Sequence, residues 1–191
     1  MLRQLGADPV EVRLPEQLDR LDGLIIPGGE STAIVRLMRL YGLDEGVRKF
    51  GAPIFGTCAG MIVLDRDHLG LGDYGTKRNA FGRQVHSFEA DLDIGGRQAP
   101  LRAVFIRAPW LEEAGPDVEV LAEVDGHPVL AREGRLLVAA FHPELTEDTR
   151  VHERFLNIVR EETARVGSTE RAKRAKVPAS PAPEAELNVR A

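Results

Sequence analysis

The sequence predicts an α/β fold: a mainly parallel central sheet flanked by helices, with an antiparallel extension. Three observations predict it. Two short apolar runs, Leu24-Ile25-Ile26 and Pro53-Ile54-Phe55, lie among glycine and proline, and each leads into apolar residues at helical spacing. That pattern marks strands buried on both faces and joined by crossover helices. Further along, Asp125-Gly126 and Glu133-Gly134 separate strand-like runs, which signals hairpins. Finally, Val151, Phe155, Ile158 and Val159 line one face of a segment from about Thr149 to Val166, as in an amphipathic helix.

The elements follow in order. Val10, Val12 and Leu14 alternate with polar residues and predict a half-buried strand. Leu24 to Ile26 predicts a buried one. Ser31 or Thr32 is placed to cap a helix with Ile34, Leu37, Met38 and Tyr41 on its apolar face, ended by Gly42. Leu43 to Phe50 predicts a second short helix. After the strand at Pro53 to Phe55 the chain turns at Gly56, and Met61, Ile62 and Leu64 space like a buried helix face. Strands are then predicted at Gln84 to Ile94, Leu101 to Ile106, Val118 to Val124, Pro128 to Ala131 and Arg135 to Phe141. No internal repeat is present.

Composition bounds the function. The chain has 191 residues, 25 basic against 30 acidic, for a net charge of −5. That argues against a nucleic-acid binder, which carries a basic face. Apolar runs are far shorter than the roughly 18 residues of a membrane span, and the start lacks a signal-peptide apolar region. Cys58 is the single cysteine, so a reducing, cytoplasmic setting is expected. Residues 1–167 read as one domain. Ser168 to Ala191 holds three Pro, six Ala and no aromatic residue. It cannot bury enough apolar area to offset its ordering entropy, so a disordered tail is predicted. A basic docking arm around Arg171, Lys173, Arg174 and Lys176 is the alternative.

Three constellations carry chemistry. Gly56-Thr57-Cys58-Ala59-Gly60 is a nucleophile elbow with Cys in place of Ser. Its glycines relieve a sharp strand-to-helix turn, and amides at the helix start face the reacting centre, where they favour a thiolate and a developing oxyanion. The competing reading is a buried structural cysteine. His142-Pro143-Glu144 ends a predicted strand. Residues two apart share one side of an extended chain, so His142 can face the thiol while Glu144 orients the ring. A surface strand end with two polar residues competes. No zinc-ligand spacing is present, and no metal is expected. Pro27-Gly28-Gly29-Glu30-Ser31 follows a strand and opens a helix. It fits an anion or oxyanion site, or a plain turn with a serine cap. Arg78 and Arg107 are candidate clamps for a substrate carboxylate, or ordinary surface arginines. His68, His86, His127 and His152 lack a partner pattern, and Trp110 reads as packing.

Together these motifs resemble the class I (triad) glutamine amidotransferases, which have a flavodoxin-like α/β fold. More narrowly, they are similar to the glutaminase subunits of pyridoxal 5′-phosphate synthase. The narrower likeness rests on Arg13-Leu14-Pro15-Glu16-Gln17-Leu18, Gly23 to Thr32, Phe55 to Gly60, Arg78-Asn79-Ala80-Phe81-Gly82-Arg83-Gln84, Val104 to Pro109 and Phe141 to Asp148. The resemblance implies that Cys58 attacks the side-chain amide of L-glutamine, His142 moves the proton and Glu144 orients His142. Glutamine contacts would fall on Gly29, Glu30, Ser31, Arg78, Ile106 and Arg107. No cofactor is implied. Ammonia would pass to a (β/α)₈-barrel synthase subunit in a hetero-oligomer, and that partner's docking would activate the glutaminase. Family members begin with an apolar strand and a Leu-Gln-Gly turn ahead of the segment matching Leu5-Gly6-Ala7. The expectation here is a domain lacking that strand, impaired in stability or activity.

Overall fold

A computed structural model describes residues 1–81, 87–95 and 99–175 of the chain. Its centre is a five-stranded sheet in the order β1-β2-β9-β8-β7. β1 (Leu24–Ile26), β2 (Ile54–Thr57) and β9 (Leu136–Ala139) run parallel. β8 (His127–Glu133) and β7 (Glu119–Val124) add the antiparallel extension. Asp125 and Gly126 both have positive φ, at 51° and 75°, as a tight primed hairpin turn between β7 and β8 requires. Gly134, at φ 54°, turns β8 into β9. β2 and β9 are buried at every residue, in keeping with their continuous apolar runs.

Helices α1 (Ser31–Tyr41) and α2 (Leu43–Lys49) cross from β1 to β2, and α3 (Ala59–Leu64) leaves β2. All six residues of α3 are buried. α4 (Arg150–Ala175) packs Val151, Phe155 and Ile158 into the core. Two antiparallel ribbons flank the sheet. One pairs β3 (Gly75–Lys77) with β6 (Trp110–Glu112), the other β4 (Ser87–Leu92) with β5 (Leu101–Ile106). Phe88 stacks on Phe105 at 4.6 Å, and Phe105 meets Phe141 at 5.5 Å. These rings fasten the second ribbon to the end of β9, each pair adding about 0.5–1.5 kcal/mol beyond its area.

Several expectations change. Val10 to Leu14 is no strand: Leu14 is extended, but Val10 and Leu14 are exposed and the segment joins no sheet among the described residues. Alternation sets faces, but a strand exists only where its backbone is bonded to a neighbour. The outer edge of β1 pairs with no described strand and faces a groove of about 810 Å³ lined by Val12, Leu21, Ile25, Met38, Phe155 and Val159. Helix α1 buries Ser31, Val35 and Met38, while Leu37 and Tyr41 are exposed. Its cap is Glu30, whose carboxylate accepts the amides of Thr32 and Ala33 at 3.1 and 2.7 Å. A carboxylate reaching two amides displaces the hydroxyls expected there. α4 continues to Ala175, through the first part of the expected tail, because Ser168 to Ala175 contains no helix-breaking proline. The predicted strand from Gln84 begins at Ser87, and residues 84–86 lie outside the described residues, as do His86 and residues 176–191.

The crossing of α3 over β1 depends on Gly60. A Cβ there would lie 1.9 Å from the Ile26 carbonyl oxygen, a backbone atom that cannot swing away. Gly60→Ala is therefore expected to lose about 1–3 kcal/mol or more. Urea unfolding should show a lowered midpoint with an unchanged slope.

Candidate active site

Parallel pairing places the site. β2 and β9 lie in register through Thr57 and Ala139. The next residue of the first strand is Cys58, and its amide donates to the Ala139 carbonyl at 2.7 Å. Two residues past Ala140 comes His142, whose amide donates to the Val104 carbonyl of β5 at 2.9 Å. Thiol and imidazole thus leave adjacent strand ends. Cys58 has φ 48° and ψ −107°, a left-handed conformation that costs a non-glycine residue energy and is held only where its surroundings over-determine it. Here those surroundings are β2, β9 and the buried helix α3. The residue is 7% exposed. Its Sγ lies 3.9 Å from the Ile106 carbonyl oxygen.

His142 Nδ1 sits 2.7 Å from Glu144 Oε1. That contact leaves Nε2 for the sulfur. The His142 pKa is pushed from 6.5 up to about 10 by its hydrogen bond to Cys58 and then by the one to Glu144, with burial working against both. For Glu144, burial is the largest influence and would raise the carboxyl, but the hydrogen bond with His142, a backbone hydrogen bond and the charges of His142 and His152 together hold the pKa below 4.5. Cysteine, imidazole and carboxylate form one line of proton-sharing contacts.

Gly28 closes the other side. A Cβ there would fall 2.4 Å from His142 Cε1 and 3.3 Å from Cys58 Cβ, so only glycine lets this loop approach both groups. Glu30, one of the expected substrate contacts, caps α1 and pairs with Arg78 at 3.3 Å. Its own pKa is lowered by the Ala33 and Thr32 amides it accepts. Ser31 is buried and its hydroxyl has no partner among the described residues. Ile106 is partly exposed and presents its carbonyl to Cys58. Arg107 follows it with φ 45° and an exposed side chain. The structure therefore gathers Cys58, His142 and Glu144, puts Ile106 at the sulfur, and joins Arg78 to Glu30. The β3–β6 ribbon went unforeseen. It carries Arg78 just past its first strand, and three residues per strand leave no readable alternation. Among the described residues, no cluster of three or more His, Cys, Asp or Glu could hold a metal ion, and no helix is long and apolar enough to cross a membrane.

A mainly parallel α/β sheet with a cysteine elbow on one strand end and a His-x-Glu on its neighbour defines the triad glutamine amidotransferase class. Comparison with known proteins agrees and narrows it. The model of the SNO glutamine amidotransferase family matches residues 1–161, and the chain belongs to that family. It is 51% identical over 170 residues to the pyridoxal 5′-phosphate synthase subunit PdxT of Thermosipho africanus, covering 84% of this chain and 90% of the relative. With the same subunit of Frankia alni it shares 54% over 172 residues, covering 83% and 86%. A crystal structure of a glutamine amidotransferase superposes with a TM-score of 0.78 at 46% identity, over 83% of this chain and 89% of that one.

The shifted groups set a pH window. The raised His142 pKa means its pairing stabilises the fold fully below 6.5 and fades as pH rises through about 10. The lowered Glu144 pKa means its share is present above 4.5 and is lost as pH falls through its lower folded value. Glu144→Gln should therefore be most destabilised relative to the parent between these limits. The difference in denaturant midpoint should shrink toward both ends.

Proposed function

We propose that this chain hydrolyses L-glutamine to L-glutamate and ammonia and hands the ammonia to a pyridoxal 5′-phosphate synthase subunit. The observation that carries the reading is the line Cys58–His142–Glu144, with Nδ1 of the imidazole 2.7 Å from the carboxylate and Cys58 raising the His142 pKa. The relatives' naming as subunits of that synthase supports the partner. We place the partner as a (β/α)₈ barrel in a hetero-oligomer and the pair in the cytoplasm, where the lone thiol stays reduced.

The steps follow from the geometry. Cys58 Sγ attacks the carboxamide carbon of glutamine as a thiolate, and the carbonyl oxygen takes the negative charge. Backbone amides at the start of α3 and on the Gly28-Gly29 loop stabilise that oxyanion. Protonated His142 gives its Nε2 proton to the leaving nitrogen. The carbon–nitrogen bond breaks, ammonia departs and a glutamyl thioester remains. Neutral His142 then takes a proton from water, whose oxygen attacks the thioester carbon. The carbon–sulfur bond breaks, releasing glutamate and restoring the thiolate beside an imidazolium. Glu144 keeps Nδ1 protonated and the ring in plane throughout. Arg78 and Arg107 take the substrate α-carboxylate, with Gly29, Glu30, Ser31 and Ile106 around the rest of the amino acid.

Cys58→Ala is expected to abolish ammonia release when the synthase partner is present, and a glutamine-like electrophile should label Cys58 of the parent chain. Full glutaminase activity in Cys58→Ala would overturn the mechanism. Adding His142→Ala or Glu144→Ala to Cys58→Ala should change little further, because triad members act as a unit.

Arg78→Ala and Arg107→Ala should each weaken glutamine binding about tenfold to a hundredfold, the worth of a charge-assisted hydrogen bond. Titration of glutamine into each variant on a Cys58→Ala background checks this. Unchanged affinity in both returns them to the surface.

A further inference from the structure

The β3–β6 ribbon frames both arginines of the proposed glutamine site. Arg78 directly follows β3, and Arg107 lies three residues before β6. The Ala80 amide donates to the Ala108 carbonyl at 3.1 Å, so the two arginine-bearing loops are joined to each other as well. A shift of this ribbon moves the arginine arm against Cys58.

What fixes the ribbon is a buried carboxylate. Asp65 directly follows α3, the helix that Cys58 begins, and is 1% exposed. A charge so deeply buried persists only when hydrogen-bonded. Its Oδ1 accepts the amides of Asp67 and His68 at 3.0 and 3.1 Å and lies 2.7 Å from His68 Nδ1. Its Oδ2 accepts the hydroxyl of Thr76 at 2.5 Å. Thr76 is the central residue of β3, two before Arg78. Tyr74 makes an earlier tether, its hydroxyl donating to the Met61 carbonyl of α3 at 3.0 Å. On the far strand, Trp110 stacks on His127 at 3.6 Å, and Lys77 pairs with Trp110 across the ribbon. With all of α3 buried, Cys58 and Asp65 are two ends of one rigid piece. Along β3, the Asp65–Thr76 bond is the last one that reaches back to the end of α3 before Arg78.

We propose that Thr76, held by the buried Asp65 carboxylate, is a positioning residue that sets Arg78 against Cys58 and so sets glutamine affinity without taking part in the chemical step. The inference rests on the reading of Arg78 as a glutamine contact. Thr76→Val removes the hydroxyl but keeps the branched shape; Asp65 keeps its three contacts at Oδ1 and loses the one at Oδ2, which lowers stability while the fold is retained.

The test is steady-state glutaminase kinetics of the full chain with its synthase partner, together with a double-mutant cycle. Thr76→Val should raise KM for glutamine about tenfold with kcat within twofold, on the scale of a lost bond to a charged group. Thr76→Ser, which keeps the hydroxyl, should restore the parent KM. On an Arg78→Ala background, Thr76→Val should change KM less than twofold. A purely structural role would instead lower kcat, or add its full effect on that background, and either result overturns the proposal. If Arg78→Ala raises KM and Thr76→Val does not, the positioning role alone falls. If Arg78→Ala leaves KM unchanged, the reading of Arg78 falls, and this proposal with it.

Discussion

The site hangs on one hydrogen-bonded register, the parallel pairing of β2 with β9. The bond from the Cys58 amide to the Ala139 carbonyl, at 2.7 Å, is its last rung. That rung fixes where β2 stops being a strand. Beyond it the chain must turn within one residue to start α3, and the positive φ of Cys58 is the result. A strained residue survives only where neighbours leave no alternative. Two fully buried strands and a fully buried helix provide that restraint. A one-residue slip would turn β9's buried side chains to the opposite face and carry His142 away from the sulfur. Register, strain and catalytic geometry are therefore one constraint.

Charge is then placed by the same framework. An isolated buried carboxylate would sooner take up a proton. Set in line, each group supports the next. Glu144 resists the upward pull of burial because His142 faces it, and His142 is raised because Cys58 and Glu144 both do. His152 shows the contrast. It is buried nearby and packs edge-on against Phe55 at 5.9 Å, but its Nδ1 has no partner among the described residues. Burial lowers its pKa despite the charge of Glu144. Similar depth gives opposite shifts, and the hydrogen-bond partners decide which.

Legibility in the sequence followed how much of an element's identity is local. β2 and β9 were readable as short apolar runs because residues buried on both faces leave no polar positions; β1 was readable as the same kind of run, although Leu24 and Ile25 are only half-buried. The β7–β8 and β8–β9 turns were readable because positive φ selects Asp-Gly and a glycine at 134. The cysteine elbow and the His-Pro-Glu end were readable as motifs whose spacing has a steric reason. What failed depends on neighbours far away in the chain. Val10 to Leu14 had the alternation of a strand but joins no sheet among the described residues. The cap of α1 went to Glu30 rather than Ser31 or Thr32, a contest among three adjacent side chains that propensity alone does not settle. The β3–β6 ribbon exists through cross-chain pairing of two three-residue segments. Asp65 reads as one more acidic residue until the fold buries it under Thr76.

This division also separates two tasks in the site. The reacting groups leave the central sheet, whose strands are buried and whose register admits no half-steps. The arginine arm comes from a short ribbon that buries Tyr74 and Leu111 in the core and is tied to α3 and β8 by side-chain contacts, Thr76 to Asp65, Tyr74 to Met61 and Trp110 to His127. An interaction that weakens substrate and transition state equally changes binding and leaves the chemical step alone. If Arg78 binds the substrate as proposed, substitutions in the ribbon tune affinity for the amino acid. Substitutions at the β2–β9 register act on fold and chemistry together, because that register holds both.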